Sequence, residues 1–295
     1  MNLAPIILFV YNRPEHTKKT IDALKLNQLA SDSLIFIFSD GNKNENDRKA
    51  VEEVRNYIVT ISGFKDVKIT LRDKNLGLAD SVISGVTEVI EKFGKAIVLE
   101  DDIVTSPYFL KFMNEALDFY EKDKRIYSIS GYNFPIKIPK SYQHKIYISP
   151  RPSSWGWATW KDRWGKVDWI ISDYDQFLSN KKEIKKFNLG GDDLTRMLKK
   201  QMSGKINSWA IRWTYAHYKG KGYCLFPLKS FAKNIGADRS GIHTRKTNKF
   251  NVDVYEKEYR DFLWENPEVD EKVLKNFQKF FSKKNPFKRI RDLIP

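Results

Sequence analysis

The chain alternates short apolar runs with longer segments whose apolar residues recur every three or four positions, the pattern of strands followed by amphipathic helices. Ala4 to Val10 is a continuous apolar run ending in Tyr11-Asn12-Arg13-Pro14, after which Thr17, Ile21 and Leu24 mark a helical face. Leu34 to Phe38 predicts a second strand, closed by Ser39-Asp40-Gly41 and followed by a charged helix from about Asp47 to Ile58. Val67 to Leu71 predicts a third, with Arg72-Asp73-Lys74-Asn75-Leu76-Gly77 behind it and a helix carrying Val82, Val86, Val89, Ile90 and Phe93 on one stripe. Ala96 to Leu99 is apolar at every position, as a parallel strand covered on both faces must be, and it runs straight into Glu100-Asp101-Asp102. Ser106 then suits a helix cap, Pro107 a first turn, and Phe109, Phe112, Met113, Ala116, Leu117 and Tyr120 a buried helical face. Ile126 to Ser130 predicts another short strand.

Strands alternating with helices at these lengths imply right-handed βαβ units, hence an α/β fold with a mostly parallel sheet flanked by helices. Open sheets of this kind bind ligands outside the carboxyl ends of their strands. The polar segments at Asn12-Arg13, Asp40 and Glu100 to Asp102 are therefore expected along one edge.

From about Ser149 the pattern changes. Trp155-Gly156-Trp157-Ala158-Thr159-Trp160-Lys161-Asp162-Arg163-Trp164 is dense in tryptophan, and Trp169, Trp209 and Trp213 follow. An indole ring suits stacking on the apolar face of a sugar or a base. Gly190-Gly191-Asp192-Asp193 precedes a helix from about Leu194 to Met202; an amphipathic segment near Trp209 to Tyr218 leads to a strand at Tyr223 to Pro227. The stretch from Lys233 to His243 reads as a loop. The chain thus divides into a βα region, 1–148, a tryptophan-rich region, 149–245, and a charged helical tail, 246–295.

Composition narrows the classes. No apolar run approaches the roughly 20 residues needed to cross a bilayer, and Met1 to Val10 lacks the basic start of a secretory leader. The single Cys224 excludes an internal disulfide and a cysteine metal cluster, which suits a cytoplasmic protein. The net charge of +15 draws the chain toward phosphates, whether on nucleotides, nucleic acid or anionic lipid. At the tail, Phe287, Ile290, Leu293 and Ile294 stand beside Lys288, Arg289 and Arg291, suggesting peripheral contact with the inner face of a membrane; a solvated terminal helix is the plain alternative.

Glu100-Asp101-Asp102 offers hard oxygen ligands suited to Mn²⁺ or Mg²⁺, which complete their shells with water and substrate phosphate and so favour a nucleoside diphosphate partner. Asp40 suits a hydrogen bond from a base or ribose, or the start of a turn before Gly41. Asn12 and Arg13 suit phosphate or ribose, or ordinary loop roles. His243 suits a metal, a phosphate or a structural hydrogen bond. Asp192 and Asp193 offer a general base for a sugar hydroxyl, or a helix cap.

Ile7 to Pro14 with Ser39-Asp40-Gly41 resembles the opening of GT-A nucleotide-sugar glycosyltransferases. Ile97 to Phe109 is similar to the acidic-motif segment of the N-acetylglucosaminyltransferase I family. Bacterial relatives of that family share patterns like Ser154-Trp155-Gly156-Trp157-Ala158-Thr159-Trp160 and the run from Asn234 to His243. The likeness spans roughly residues 4–245. It implies a GT-A fold and an inverting transfer from a UDP-sugar, assisted by Mn²⁺, to a glycan or lipid-linked acceptor in bacterial surface polysaccharide synthesis. Asp102 matches the metal-binding aspartate, with His243 as a second candidate ligand. Asp40 matches the uracil contact, Glu100 and Asp101 lie near ribose and donor sugar, and Tyr11, Asn12, Arg13 and Asn75 complete the expected donor side. Trp155, Trp157 and Trp209 are the expected acceptor contacts. The family's base is an aspartate in a tryptophan-flanked acidic pair; here that place reads Asn207-Ser208-Trp209-Ala210-Ile211-Arg212-Trp213, without a carboxylate, and Asp192 and Asp193 are the nearest upstream candidates.

Three rival classes remain. A nucleotidyltransferase would carry a Gly-rich basic loop after its first strand, which Tyr11-Asn12-Arg13-Pro14 is not. A nucleic-acid binder would gather its charge into a recognised motif, whereas here it is scattered over helix faces and the tail, so nucleic acid is not an expected partner. A non-catalytic carbohydrate-binding protein would not need Asp102.

Overall fold

The computed structural model describes residues 2–237, 247–257 and 264–282. Its first half runs β1 (Ile6–Val10), α1 (Pro14–Lys25), β2 (Leu34–Ser39), α2 (Glu45–Ile58), β3 (Asp66–Leu71), α3 (Leu78–Phe93), β4 (Lys95–Glu100), β5 (Ile103–Thr105), α4 (Phe109–Phe119) and β6 (Ile126–Ser130). The second half adds β7 (Ile146–Ser149), β8 (Trp157–Trp160), α5 (Lys161–Trp164), α6 (Tyr174–Ser179), α7 (Lys181–Phe187), α8 (Leu194–Met202), α9 (Trp209–Lys219), β9 (Tyr223–Pro227), β10 (Ala232–Asn234) and α10 (Glu271–Phe281).

The main sheet has the order β3-β2-β1-β4-β8-β6-β9-β7. Its β3-β2-β1-β4 half is parallel throughout, while β8 and β7 enter antiparallel. The chain steps outward from β1 to β3 and then returns to lay β4 on the other side of β1. Strand order therefore reverses between β1 and β4, opening the crevice where sheets of this kind take ligands. Every side chain of β1 is buried, which explains its unbroken apolar run. On one face α3 sets Val82, Val86, Val89 and Ile90 against Ile7, Phe9 and Val98. On the other, α4 packs Phe112, Met113 and Leu117 into the cluster holding Leu8 and Leu99.

Three sequence expectations change. The Trp157–Trp160 segment is a central strand between β4 and β8's other neighbour β6, so the sheet runs across the 148/149 boundary. Trp157 is fully buried, stacked on Trp209 at 5.1 Å, and presents no face to an acceptor sugar. The run from Lys233, expected as loop, begins inside β10, which pairs with β5 through Asn234 and Ile103. Ser106 does accept the Tyr108 N–H, but α4 starts at Phe109 and the Ser106 hydroxyl itself donates to the Tyr255 carbonyl.

Candidate active site

The loop after β1 and the acidic run after β4 meet in the β1/β4 crevice. Arg13 donates through Nη2 to Asp101 Oδ1 and, at 3.0 Å, to Asp102 Oδ2. Both carboxylates are buried, at 4% and 6% exposure, and among the described residues Asp102 Oδ1 has no hydrogen-bond partner. A buried carboxylate oxygen without a partner is costly unless a cation meets it. The Asp101 main chain is fixed from α1, where Thr20 donates to its carbonyl at 2.8 Å, and the Asp102 carbonyl accepts the Ile235 N–H.

The segment following β10 crosses directly over this cluster. A Cβ on Gly236 would overlap Asp102 Oδ2 and come within 2.9 Å of Arg13 Nη1, so a larger residue here must displace either the backbone or the Arg13–Asp102 contact. His243 lies outside the described residues.

Crowding of charge tunes the acids. Burial, reinforced by Asp102 and then Asp101, pushes the Glu100 carboxyl up to about 8. Burial likewise raises Asp101 to about 6 against the opposing pull of Arg13. Glu100 also accepts a hydrogen bond from the Trp209 side chain, linking the acidic run to α9.

The neighbouring loops are cross-braced. The Asp40 carboxylate, after β2, accepts the main-chain N–H of Leu76 at 3.0 Å and of Gly77 at 2.9 Å, while Asn75 donates to the Gly41 carbonyl. Asp40 and Asn75 thus hold the approach to α3, and their contacts explain that shape without any ligand. Tyr11 and Asn12 both donate to Asp47 in the first turn of α2, at 2.8 and 2.9 Å. Asp47 is the hub that pattern reading missed, because an acid in a first helical turn looks like ordinary dipole compensation.

Beyond Trp209 lies a pocket of about 190 Å³, walled by Phe134, Trp155, Met197, Trp209, Phe250 and Phe281, with Ser153, Ser154 and Thr214 as its hydroxyls. Trp155 and Trp209 therefore share one cavity, and Trp157 does not join them. Arg151 also lines it. Its guanidinium grips Asp193 with two bonds, at 2.7 and 3.0 Å, and lies 3.7 Å from the Phe281 ring centre. That engagement occupies both Asp193 oxygens and corrects its reading as a free base; Asp192 is exposed beside it. The pocket was illegible in the sequence because Arg151, Phe250 and Phe281 converge from distant segments.

No protein-family model matches the sequence. Among solved structures, the chain is similar to S. aureus TarS at 11% identity over 77% of this chain and 36% of that one, with a TM-score of 0.39. It is similar to the mannosyltransferase from Pyrobaculum calidifontis in complex with GDP-Man and Mn²⁺ at 11% identity, over 56% of this chain and 49% of that one, TM-score 0.39. A third likeness is to S. aureus TarS 1–349 in complex with UDP, at 9% identity over 77% of this chain and 59% of that one, TM-score 0.38. The chain spans 36% to 59% of the lengths of these proteins.

Proposed function

We propose that the protein is a glycosyltransferase of the GT-A type that moves a sugar from a UDP-sugar to an acceptor hydroxyl with a divalent cation. The observation carrying this reading is Asp102 Oδ1, without a partner among the described residues and buried where strand order reverses between β1 and β4.

Among the described residues, no group of three or more His, Cys, Asp or Glu is arranged to hold a metal alone. Mn²⁺ and Mg²⁺ do not require one, since they bind through one or two carboxylates plus substrate phosphates. The donor set fits that mode: Asp102 would hold the cation through Oδ1, with His243 the candidate second ligand. Such an ion supplies Lewis-acid neutralisation of a departing diphosphate.

This chain's own residues would do the rest. Arg13, already fixed between two acids, stabilises negative charge at the crevice mouth. The Tyr11–Asn12–Asp47 and Asp40–Gly77 braces shape the seat for the nucleoside. Glu100 orients the donor sugar, held in turn by Trp209, and the pocket beyond Trp209 receives the acceptor, with Trp155 as a stacking face. With Asp193 engaged by Arg151, Asp192 is the remaining carboxylate of that pair to draw the acceptor proton, giving inversion.

Purified protein tested with a panel of nucleotide-sugars should release UDP from at least one UDP-sugar, faster with Mn²⁺ than with chelator. Failure across the panel, at high protein concentration and with Mn²⁺ present, would remove the transferase reading.

A further inference from the structure

One wall of the pocket beyond Trp209 carries a donor that the fold leaves unspent. Trp213, on α9, lines this cavity and is 1% exposed, and among the described residues its indole Nε1–H has no hydrogen-bond partner. The ring is wedged and cannot turn to find one: it packs edge-on against His217 at 4.4 Å and lies 5.2 Å from Trp164 and 6.0 Å from Trp157. A buried N–H without an acceptor is costly, and a ligand that brings an acceptor recovers that cost. The pocket's hydroxyls are partly engaged already. Thr214 donates to the Ala210 carbonyl at 2.8 Å, and Ser153 Oγ accepts the Trp155 N–H at 3.2 Å. Charge narrows the occupant further. Among the described residues that line the pocket only Arg151 is charged, and its two bonds to Asp193 balance that charge within the protein. A charged group entering here would lose its hydration without gaining a free counter-ion, so the walls suit a neutral one.

We propose that this pocket is a subsite for an N-acetylated amino sugar of the acceptor. The acetamido group combines what the walls ask for: a neutral carbonyl to accept the Trp213 Nε1–H, and a methyl to lie among Leu194, Met197 and Phe281, with the sugar ring against Trp155. The cavity, at about 190 Å³, falls below the roughly 300–1,000 Å³ that takes a drug-sized ligand, which limits the occupant to a single sugar unit. That the bound sugar serves as acceptor rests on the transferase reading above; the binding itself needs neither donor nor metal.

The test titrates the full chain, without nucleotide or cation, with the methyl glycosides of N-acetylglucosamine and N-acetylgalactosamine, of the matching glucose and galactose, and of unacetylated glucosamine. Ligand-observed saturation-transfer NMR reads binding in each case. At least one acetamido sugar should bind on the order of tenfold tighter than its hydroxyl counterpart, with its acetyl methyl the most strongly saturated group. Glucosamine, a cation beside Arg151, should not bind. Trp213→Phe, which keeps a ring in the core and removes the N–H, should lower acetamido binding to the level of the hydroxyl sugar, with circular dichroism confirming the fold. Equal binding of acetamido and hydroxyl sugars, no acetamido binding, or an undiminished preference in folded Trp213→Phe overturns the proposal. Should that variant fail to fold, the glycoside series on the unaltered chain decides. Release of UDP from a UDP-sugar without any acetamido preference would strike the subsite alone. An acetamido preference without UDP release from any donor would strike the transferase reading alone.

Discussion

Arg13 reaches from the loop after β1 to the Asp102 carboxylate beyond β4, holding Oδ2 at 3.0 Å, while the buried Oδ1 has no partner among the described residues. One cation from the protein thus satisfies half of an acid whose other half faces none among the described residues. A carboxylate so divided is suited to a second cation that arrives with the substrate.

If Oδ1 meets that ion, Asp102→Asn should lower kcat for UDP-sugar hydrolysis by about 10²–10³-fold, the usual cost of removing one aimed electrostatic contact. The variant should remain folded, since asparagine keeps an oxygen for Arg13. Steady-state kinetics beside a thermal melt checks both halves, and near-normal turnover would contradict the metal role.

Gly236 gives a sharper steric test. Adding one methyl in Gly236→Ala forces apart the segment after β10 and the Asp102–Arg13 pair, whichever of them moves. Activity should fall at least about tenfold, with a stability cost of roughly 1–3 kcal/mol, the range for overpacking. Denaturant titration and initial rates would report it.

The two tryptophans of the Trp155-Gly156-Trp157 stretch should behave differently. Trp157→Ala empties a site in the core and should cost about 3–5 kcal/mol of stability. Trp155→Ala, at a pocket wall, should spare most of the stability and raise KM for the acceptor once one is found. Chemical unfolding of both variants separates the roles; equal destabilisation would argue that Trp155 is only a core residue.

Stability should pass through a maximum with pH, for reasons of opposite sign. Burial lowers His217 to about 3, its Nδ1–H directed at the Trp213 carbonyl and Nε2 accepting from Ser128. The unfolded chain binds this proton near 6.5 and the folded one does not, so stability declines as pH falls from about 6.5 toward 3. Glu100, raised to about 8, acts the other way: the folded state keeps a proton the unfolded state has lost, and stability declines as pH rises from about 4.5 to 8. Melting temperatures across pH 4 to 9, an order-of-magnitude window set by these groups, should show Glu100→Gln flattening the alkaline limb alone.

The parallel half of the sheet was legible because its strands are buried on both faces and announce themselves as unbroken apolar runs, from Ile6 to Val10 and Ala96 to Leu99. The meeting of Arg13 with Asp101 and Asp102 followed from strand polarity, which puts all three at carboxyl ends. What resisted reading was the second half. β8 is a strand of two tryptophans flanking Ala158 and Thr159, and an aromatic-rich stretch fits a core strand and a sugar platform equally well by composition. β5 and β10 are three residues each, too short for any period, and exist through their mutual pairing. Asp193 looked like a base or a cap because its partner Arg151 lies far away in sequence.

The most direct test of the central claim is calorimetric titration of Mn²⁺ into the protein with and without UDP. Binding should be weak alone, strengthen markedly with UDP at one ion per chain, and vanish in Asp102→Asn. Undiminished UDP-dependent Mn²⁺ binding by that variant would contradict the assignment of the crevice between β1 and β4 as the catalytic centre.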